Sequence, residues 1–134
     1  MFFVELVGTT KVVPGGRSGT PLLQMTNITN GNALKVTATF IARTTGTDQN
    51  NGFTYSIKTT TDDALPLTQL SSTVQGNIGF QSTTLTAIYR AQISSQTGVD
   101  DVDFEVLFEK GDMDGQGEIG DFLLTGEVIT LREP

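Results

Sequence analysis

The stretch GDMDGQGEIGD, residues 111–121, holds the residue types in this chain that most suggest chemistry. Counted from Asp112, it resembles the start of a calcium-binding EF-hand loop. Asp112, Asp114 and Gln116 stand where such a loop has its first, third and fifth ligands. Gly117 then stands at the sixth position, where the loop needs a sharp turn. Oxygen ligands at this spacing are what a calcium ion requires.

The same stretch lacks the ligand that closes such a loop. A bidentate Glu is expected at the twelfth position, and Leu123 stands there instead. Both flanks alternate apolar and polar residues as strands do, whereas an EF-hand loop joins two helices. We therefore predict a glycine-rich surface loop that joins two neighbouring strands, with no tightly held metal ion and no cofactor. Calcium stays open as an alternative, with ligands drawn from Asp112, Asp114, Gln116, Glu118 and Asp121.

Paired carboxylates are the second candidate for chemistry. Asp62 and Asp63 are adjacent, and Asp100, Asp101 and Asp103 form a second cluster. A glycosidase uses two carboxylates, but sugar sites usually also need aromatic platforms, and the chain has no Trp and two Tyr. The absence of His and Cys removes the usual general base and thiolate metal sites. We predict no catalytic residue and no enzyme, with the Asp clusters capping the backbone at strand ends or turns.

The charge of the chain is unevenly distributed. Residues 1–99 carry four acidic and six basic side chains, and residues 100–134 carry eleven acidic and two basic ones. An acidic chain does not suit nucleic acid, whose phosphates need a basic surface. Two interpretations stay open: an acidic surface that maintains solubility, or a patch that meets a basic partner.

No targeting or spanning segment is visible. No apolar run approaches the roughly 18 residues of a membrane span. The start, MFFVELVGTT, lacks the basic region and long apolar core of a signal peptide. The sequence therefore predicts a protein made in the cytoplasm that does not enter a membrane.

Alternation of apolar and polar residues at every second position is the dominant pattern of the sequence. The strands that this pattern predicts would position the candidate residues. ALKVTATF, for example, places Leu34, Val36, Ala38 and Phe40 on one face. Turn clusters separate about eight such segments, and residues 62–74 form a connection with one short edge strand. The pattern predicts a single all-β domain over residues 1–134, a two-sheet antiparallel sandwich of jelly-roll-like type. Its predicted core contains Phe40, Leu85, Tyr89, Phe104, Val106 and Phe108.

The N-terminal region carries the candidate partner-binding residues. Phe2 and Phe3 are adjacent, so on a strand they point to opposite faces, and one of them faces away from the core. The loop PGGRSGT is glycine-rich, and its Arg17 could anchor to a carboxylate on a neighbouring chain. We predict a homo-oligomer or a contact with a protein lattice through these residues.

Three features of the chain together resemble small structural proteins of tailed bacteriophages. They are the unprocessed strand start MFFVELV, the Thr- and Gly-rich segment ALKVTATFIARTTGT, and the absence of Cys, His and Trp. The resemblance is to capsid decoration or cement proteins. It implies a β domain bound as an oligomer across the joints of a capsid shell, and thus a virion component. The alternatives are a tail or fibre role, a calcium-dependent ligand-binding sandwich of a surface or secreted system, and a small hydrolase with paired carboxylates.

Overall fold

Strands account for most of the described chain. The computed structural model describes residues 1–12, 20–45, 53–60, 63–74, 79–109 and 116–130. The strands found in these residues are β1 (Phe2–Lys11), β2 (Leu23–Thr29), β3 (Ala33–Thr45), β4 (Phe53–Thr59), β5 (Ala64–Pro66), β6 (Ser71–Val74), β7 (Gln81–Ala91), β8 (Val99–Glu109) and β9 (Gln116–Ile129).

The strands form two antiparallel sheets. The five-stranded sheet has the order β1-β9-β3-β7-β5, and the four-stranded sheet has the order β2-β8-β4-β6. The predicted all-β, two-sheet antiparallel sandwich is therefore confirmed. Nine strands are present where about eight were expected, because Ala64–Pro66 pairs with β7 within what we predicted to be a connection. No helix among the described residues is long and apolar enough to cross a membrane.

Successive strands alternate between the two sheets. All odd-numbered strands lie in the five-stranded sheet, and all even-numbered strands lie in the four-stranded sheet. Every connection therefore passes from one sheet to the other. We predicted that residues 111–121 join two neighbouring strands. That prediction is wrong, because β8 and β9 lie in different sheets and are not neighbours. Residues 116–121 of the predicted loop belong to β9, and residues 111–115 lie outside the described residues.

The core lies between the sheets and is rich in aromatic rings. Phe40 packs edge-on against Tyr55, with ring centroids 4.8 Å apart, and against Phe108 at 6.1 Å. Tyr89 packs against Phe104 at 4.9 Å. These pairs join residues of opposite sheets, so they fix the sheets face to face. The predicted core is confirmed, because all six of its members are buried: Phe40, Leu85, Tyr89, Phe104, Val106 and Phe108.

A glycine allows the two sheets to approach closely near the end of β9. A Cβ atom added at Gly126 would lie 2.7 Å from the Sδ of Met25 and 3.0 Å from a methyl carbon of Leu23. Both neighbours belong to β2 of the other sheet and are buried. The absence of a side chain at Gly126 therefore leaves room for the β2 side chains to fill the core.

Candidate interaction surface

Strand β1 is apolar on both of its sides. Phe2, Val4 and Leu6 are partly buried and pack against the core. The alternating residues face away from it, with Phe3 62% exposed and Val7 84% exposed. Phe2 and Phe3 therefore point to opposite faces, as their adjacency on a strand requires. Their role in binding a partner stays a prediction.

Phe3 belongs to a small surface that β1 shares with β9. Phe3 lies opposite Thr125, and Glu5 lies opposite the half-buried Leu123. Side chains directly opposite each other in an antiparallel pair are close enough to touch. We call the surface formed by Phe3, Glu5, Val7, Leu123 and Thr125 the β1 patch. It lies on the outer face of the five-stranded sheet and carries one charged residue, Glu5.

Strand β1 lies at an edge of its sheet, and it differs from the other three edge strands in its length and in the regularity of its first residues. An exposed edge invites another strand to pair with it, and proteins usually shorten or distort such edges. The opposite edge, β5, has three residues and ends at Pro66, and β6 has four residues. Strand β2 is irregular, with a register shift after Met25 and a positive φ of 56° at Asn27. Strand β1 is longer, with ten residues.

A bulge limits the flat part of β1. The register with β9 is continuous over residues 2–6 and shifts between Leu6 and Thr9. Gly8 within the bulge has a φ of 89°, which glycine adopts without steric cost. Asp121, its neighbour on β9, has a φ of 49°. The regular part of the edge therefore covers residues 2–6, and no other described strand pairs with its outer side.

The candidate calcium ligands do not gather in the described residues. Asp112 and Asp114 lie outside the described residues, and Gln116 begins β9. Glu118 accepts a 3.1 Å hydrogen bond from the Arg43 guanidinium, and Asp121 is exposed at the bulge. The described part of the chain contains no group of three or more acidic side chains that could hold a metal ion.

Neighbouring cations offset two of the three acidic residues of β9. Besides the Glu118–Arg43 pair, Glu127 lies 3.7 Å from Lys35. The acidic residues of β8 are distributed differently. They alternate with buried residues and therefore face outward on the four-stranded sheet, where Lys58 lies opposite Glu105. This acidic face, on the other side of the sandwich from the β1 patch, consists of Asp101, Asp103, Glu105 and Glu109.

Two members of the Asp clusters bind backbone N–H groups, as predicted for strand ends. Asp101 accepts a 3.2 Å hydrogen bond from the N–H of Asn27, and Asp100 accepts one of 2.8 Å from the N–H of Asp101. Asp103 differs, because its Oδ1 is buried without a hydrogen-bond partner. Asp62 and Arg17 lie outside the described residues.

Sequence reasoning missed two features of the five-stranded sheet. Val7 continues the alternation of Phe3 and Glu5, so the pattern that identified Phe3 also identifies Val7. The guanidinium of Arg43 lies 4.5 Å above the ring of Phe80, which is 38% exposed. No sequence signal links these two residues, since the register of β3 with β7 brings them together.

The chain has recognisable likeness only to solved structures. No family model matches it, and no curated protein matches it. It is similar to the tripod from the baseplate of bacteriophage Tuc2009, at 11% identity and a TM-score of 0.47 over 92% of this chain and 62% of that one. A cyclase from Fischerella sp. TAU is similar at 15% identity and a TM-score of 0.41, over 84% of this chain and 60% of that one.

A third similar structure is the CBM22-1 xylan-binding domain from Paenibacillus barcinonensis, at 10% identity and a TM-score of 0.36, over 97% of this chain and 87% of that one. The chain thus spans about 60% of the length of the first two proteins. A phage baseplate part, an enzyme and a sugar-binding domain differ in function. No residue assignment carries over from them.

Proposed function

We propose that the protein is a structural subunit of a virion that stabilises a protein lattice, as a capsid decoration or cement protein does. In this proposal the subunit is a jelly-roll-type sandwich without catalytic activity. It binds the lattice through the β1 patch, and its partners are the lattice subunits and other copies of itself.

The observation that carries the proposal is the exposure of Phe3 and Val7 on a long edge strand. Monomeric proteins normally place few large apolar side chains next to one another on an exposed strand edge. Burying one such side chain against a partner contributes roughly 1.5–3 kcal/mol. A modest contribution per copy is sufficient for a lattice protein, because many identical contacts reinforce one shell.

The test is co-sedimentation with particles from the source of the protein that have been stripped of this chain. We expect the wild type to sediment with the particles and Phe3→Ser to lose most of this binding. Leu65→Ser is the matched control, because Leu65 is 46% exposed on β5 at the opposite edge of the same sheet. Equal binding by Phe3→Ser and the wild type would refute the proposed contact.

A point substitution is a sharper test than deletion of residues 1–20. Strand β1 pairs with β9 along its length, and Val12 is buried in the core. Deletion would therefore expose the core and leave β9 as a new edge. Loss of binding by the truncated protein would then not distinguish a missing contact from a damaged fold.

A further inference from the structure

The outer edge of β1 has the properties of a strand that pairs with another strand. In the described part of the chain, β1 pairs with β9 alone and ends the five-stranded sheet. The regular segment, residues 2–6, is not interrupted by a bulge or a proline. Its outward N–H and C=O groups form a template for a further strand.

We infer that the further strand is β1 of a second copy of this chain. The two copies pair antiparallel over residues 2–6, with a two-fold axis at Val4, so that two five-stranded sheets become one continuous sheet. This inference rests on the proposed assembly function and names the first partner in it.

The phase of the side chains restricts how two β1 strands can pair. In a continuous sheet, residues directly opposite each other point to the same face. Among the β1 residues before Gly8, Phe3 can therefore lie opposite Phe3, Glu5 or Val7 of the second copy, but never opposite its core-facing Val4. This leaves three registers that keep both apolar rows in phase.

The charge of Glu5 and the position of the bulge select one of these three registers. Phe3 opposite Val7 would place Glu5 directly opposite Glu5, and like charges there are destabilising. It would also extend the pairing past the bulge at Gly8. Phe3 opposite Phe3 would pair only residues 2–4 of β1 with one another. Phe3 opposite Glu5 avoids the charge repulsion and pairs residues 2–6, which are the whole regular segment.

The selected register is self-complementary on the core side. Phe2 lies opposite Leu6 of the second copy, and Val4 lies opposite Val4. All three side chains are only partly buried in one copy, although they pack against its core. Pairing therefore continues the apolar row of one core into the other, which is why a second copy fits this edge. Phe3 stays on the outer face, where the dimer presents two β1 patches.

Cysteine cross-linking tests the register directly, because the chain has no cysteine of its own. Residues directly opposite each other have Cα atoms roughly 4.5–5.5 Å apart, within the range that a disulfide spans. Only Val4 lies opposite itself, so Val4→Cys alone should form a cross-linked dimer under mild oxidation. Phe2→Cys and Leu6→Cys should cross-link only when the two variants are mixed. Thr73→Cys, an exposed position on the edge strand β6, is the control.

Light scattering on the unmodified protein completes the test. The expected mass is twice the 14.3 kDa of one chain. A monomer at all concentrations would overturn the inference, and so would cross-linking of Phe3→Cys or Glu5→Cys alone, or equal cross-linking of Thr73→Cys and Val4→Cys. Circular dichroism confirms that each variant is folded. A monomer that still binds particles in a Phe3-dependent way would overturn the dimer and leave the proposed function standing.

Discussion

The hydroxyl of Tyr89 donates a 2.8 Å hydrogen bond to the backbone carbonyl of Ile57. Tyr89 lies on β7 of one sheet and Ile57 on β4 of the other, so this bond crosses the core between the sheets. Tyr89 is 2% exposed, and burial raises its pKa to about 12. The charged form of the phenol is thus strongly disfavoured in the folded state.

This relationship predicts that stability falls at high pH. Below pH 10 Tyr89 is neutral in both states, and its contribution to stability is fully present. Between pH 10 and about 12 only the unfolded state releases the proton, so the free energy of unfolding falls by about 2–3 kcal/mol. Urea unfolding at a series of pH values measures the fall.

Tyr89→Phe is the control for that measurement. It removes both the proton and the hydrogen bond to Ile57, so it should cost about 1 kcal/mol at neutral pH. Its stability should fall less steeply than that of the wild type above pH 10. Parallel pH profiles for the two proteins would show that Tyr89 is not responsible for the fall.

Phe104→Ala should be among the most destabilising single substitutions in the core. Phe104 is fully buried on β8 and packs edge-on against Tyr89. Truncation to Ala leaves a cavity, and the free energy of unfolding should fall by about 3–5 kcal/mol. Denaturant titration provides the measurement, and a loss below about 1 kcal/mol would mean that the neighbouring residues collapse into the space.

Gly126→Ala should destabilise the protein by about 1–3 kcal/mol, because the added methyl group would meet Met25 and Leu23 in the core. Gly79→Ala is a suitable comparison, since a Cβ at Gly79 would have no atom within 4 Å and φ there is not positive. That variant should be neutral or slightly stabilising. Similar melting temperatures for the two variants would contradict the close approach of the sheets at Gly126.

Calorimetric titration should detect no micromolar calcium binding. At the position where an EF-hand loop has its closing carboxylate, Leu123 lies on β9 opposite Glu5. Glu118, another candidate ligand, is already paired with Arg43. Micromolar binding that disappears in Asp112→Ala, but persists in Glu5→Gln, would instead support the calcium-dependent ligand-binding alternative.

Much of the fold could be predicted from sequence because side-chain alternation is a local property. Phe40, Tyr89 and Phe104 each stand in the apolar phase of a strand, and the phase alone places them in the core. The same rule placed Phe2 and Phe3 on opposite faces. These predictions need only the period-two geometry of a strand and the preference of apolar groups for the interior.

The features of the fold and of the candidate site that could not be predicted depend on pairing between distant residues, and a local sequence pattern does not contain that information. Gly117 and Glu118 looked like part of a metal loop, but pairing with Thr44 and Arg43 makes them strand residues. The bulge at Gly8, where the register of β1 with β9 shifts, was equally invisible. The acidic C-terminal third also divides between two sheets, so a charge asymmetry in sequence became an acidic face formed by β8 alone.

The pairing of β1 with β9 has a consequence for the order of folding. Phe2 lies opposite Gly126, so among the described strands β1 has no partner until β9 has been synthesised. Strand β3 also needs β9 on one side. Such contacts between distant parts of a chain are slow to form, so the five-stranded sheet is completed only after β9 has been synthesised. During synthesis the apolar residues of β1 are therefore available to chaperones, or to the β1 strands of other nascent chains.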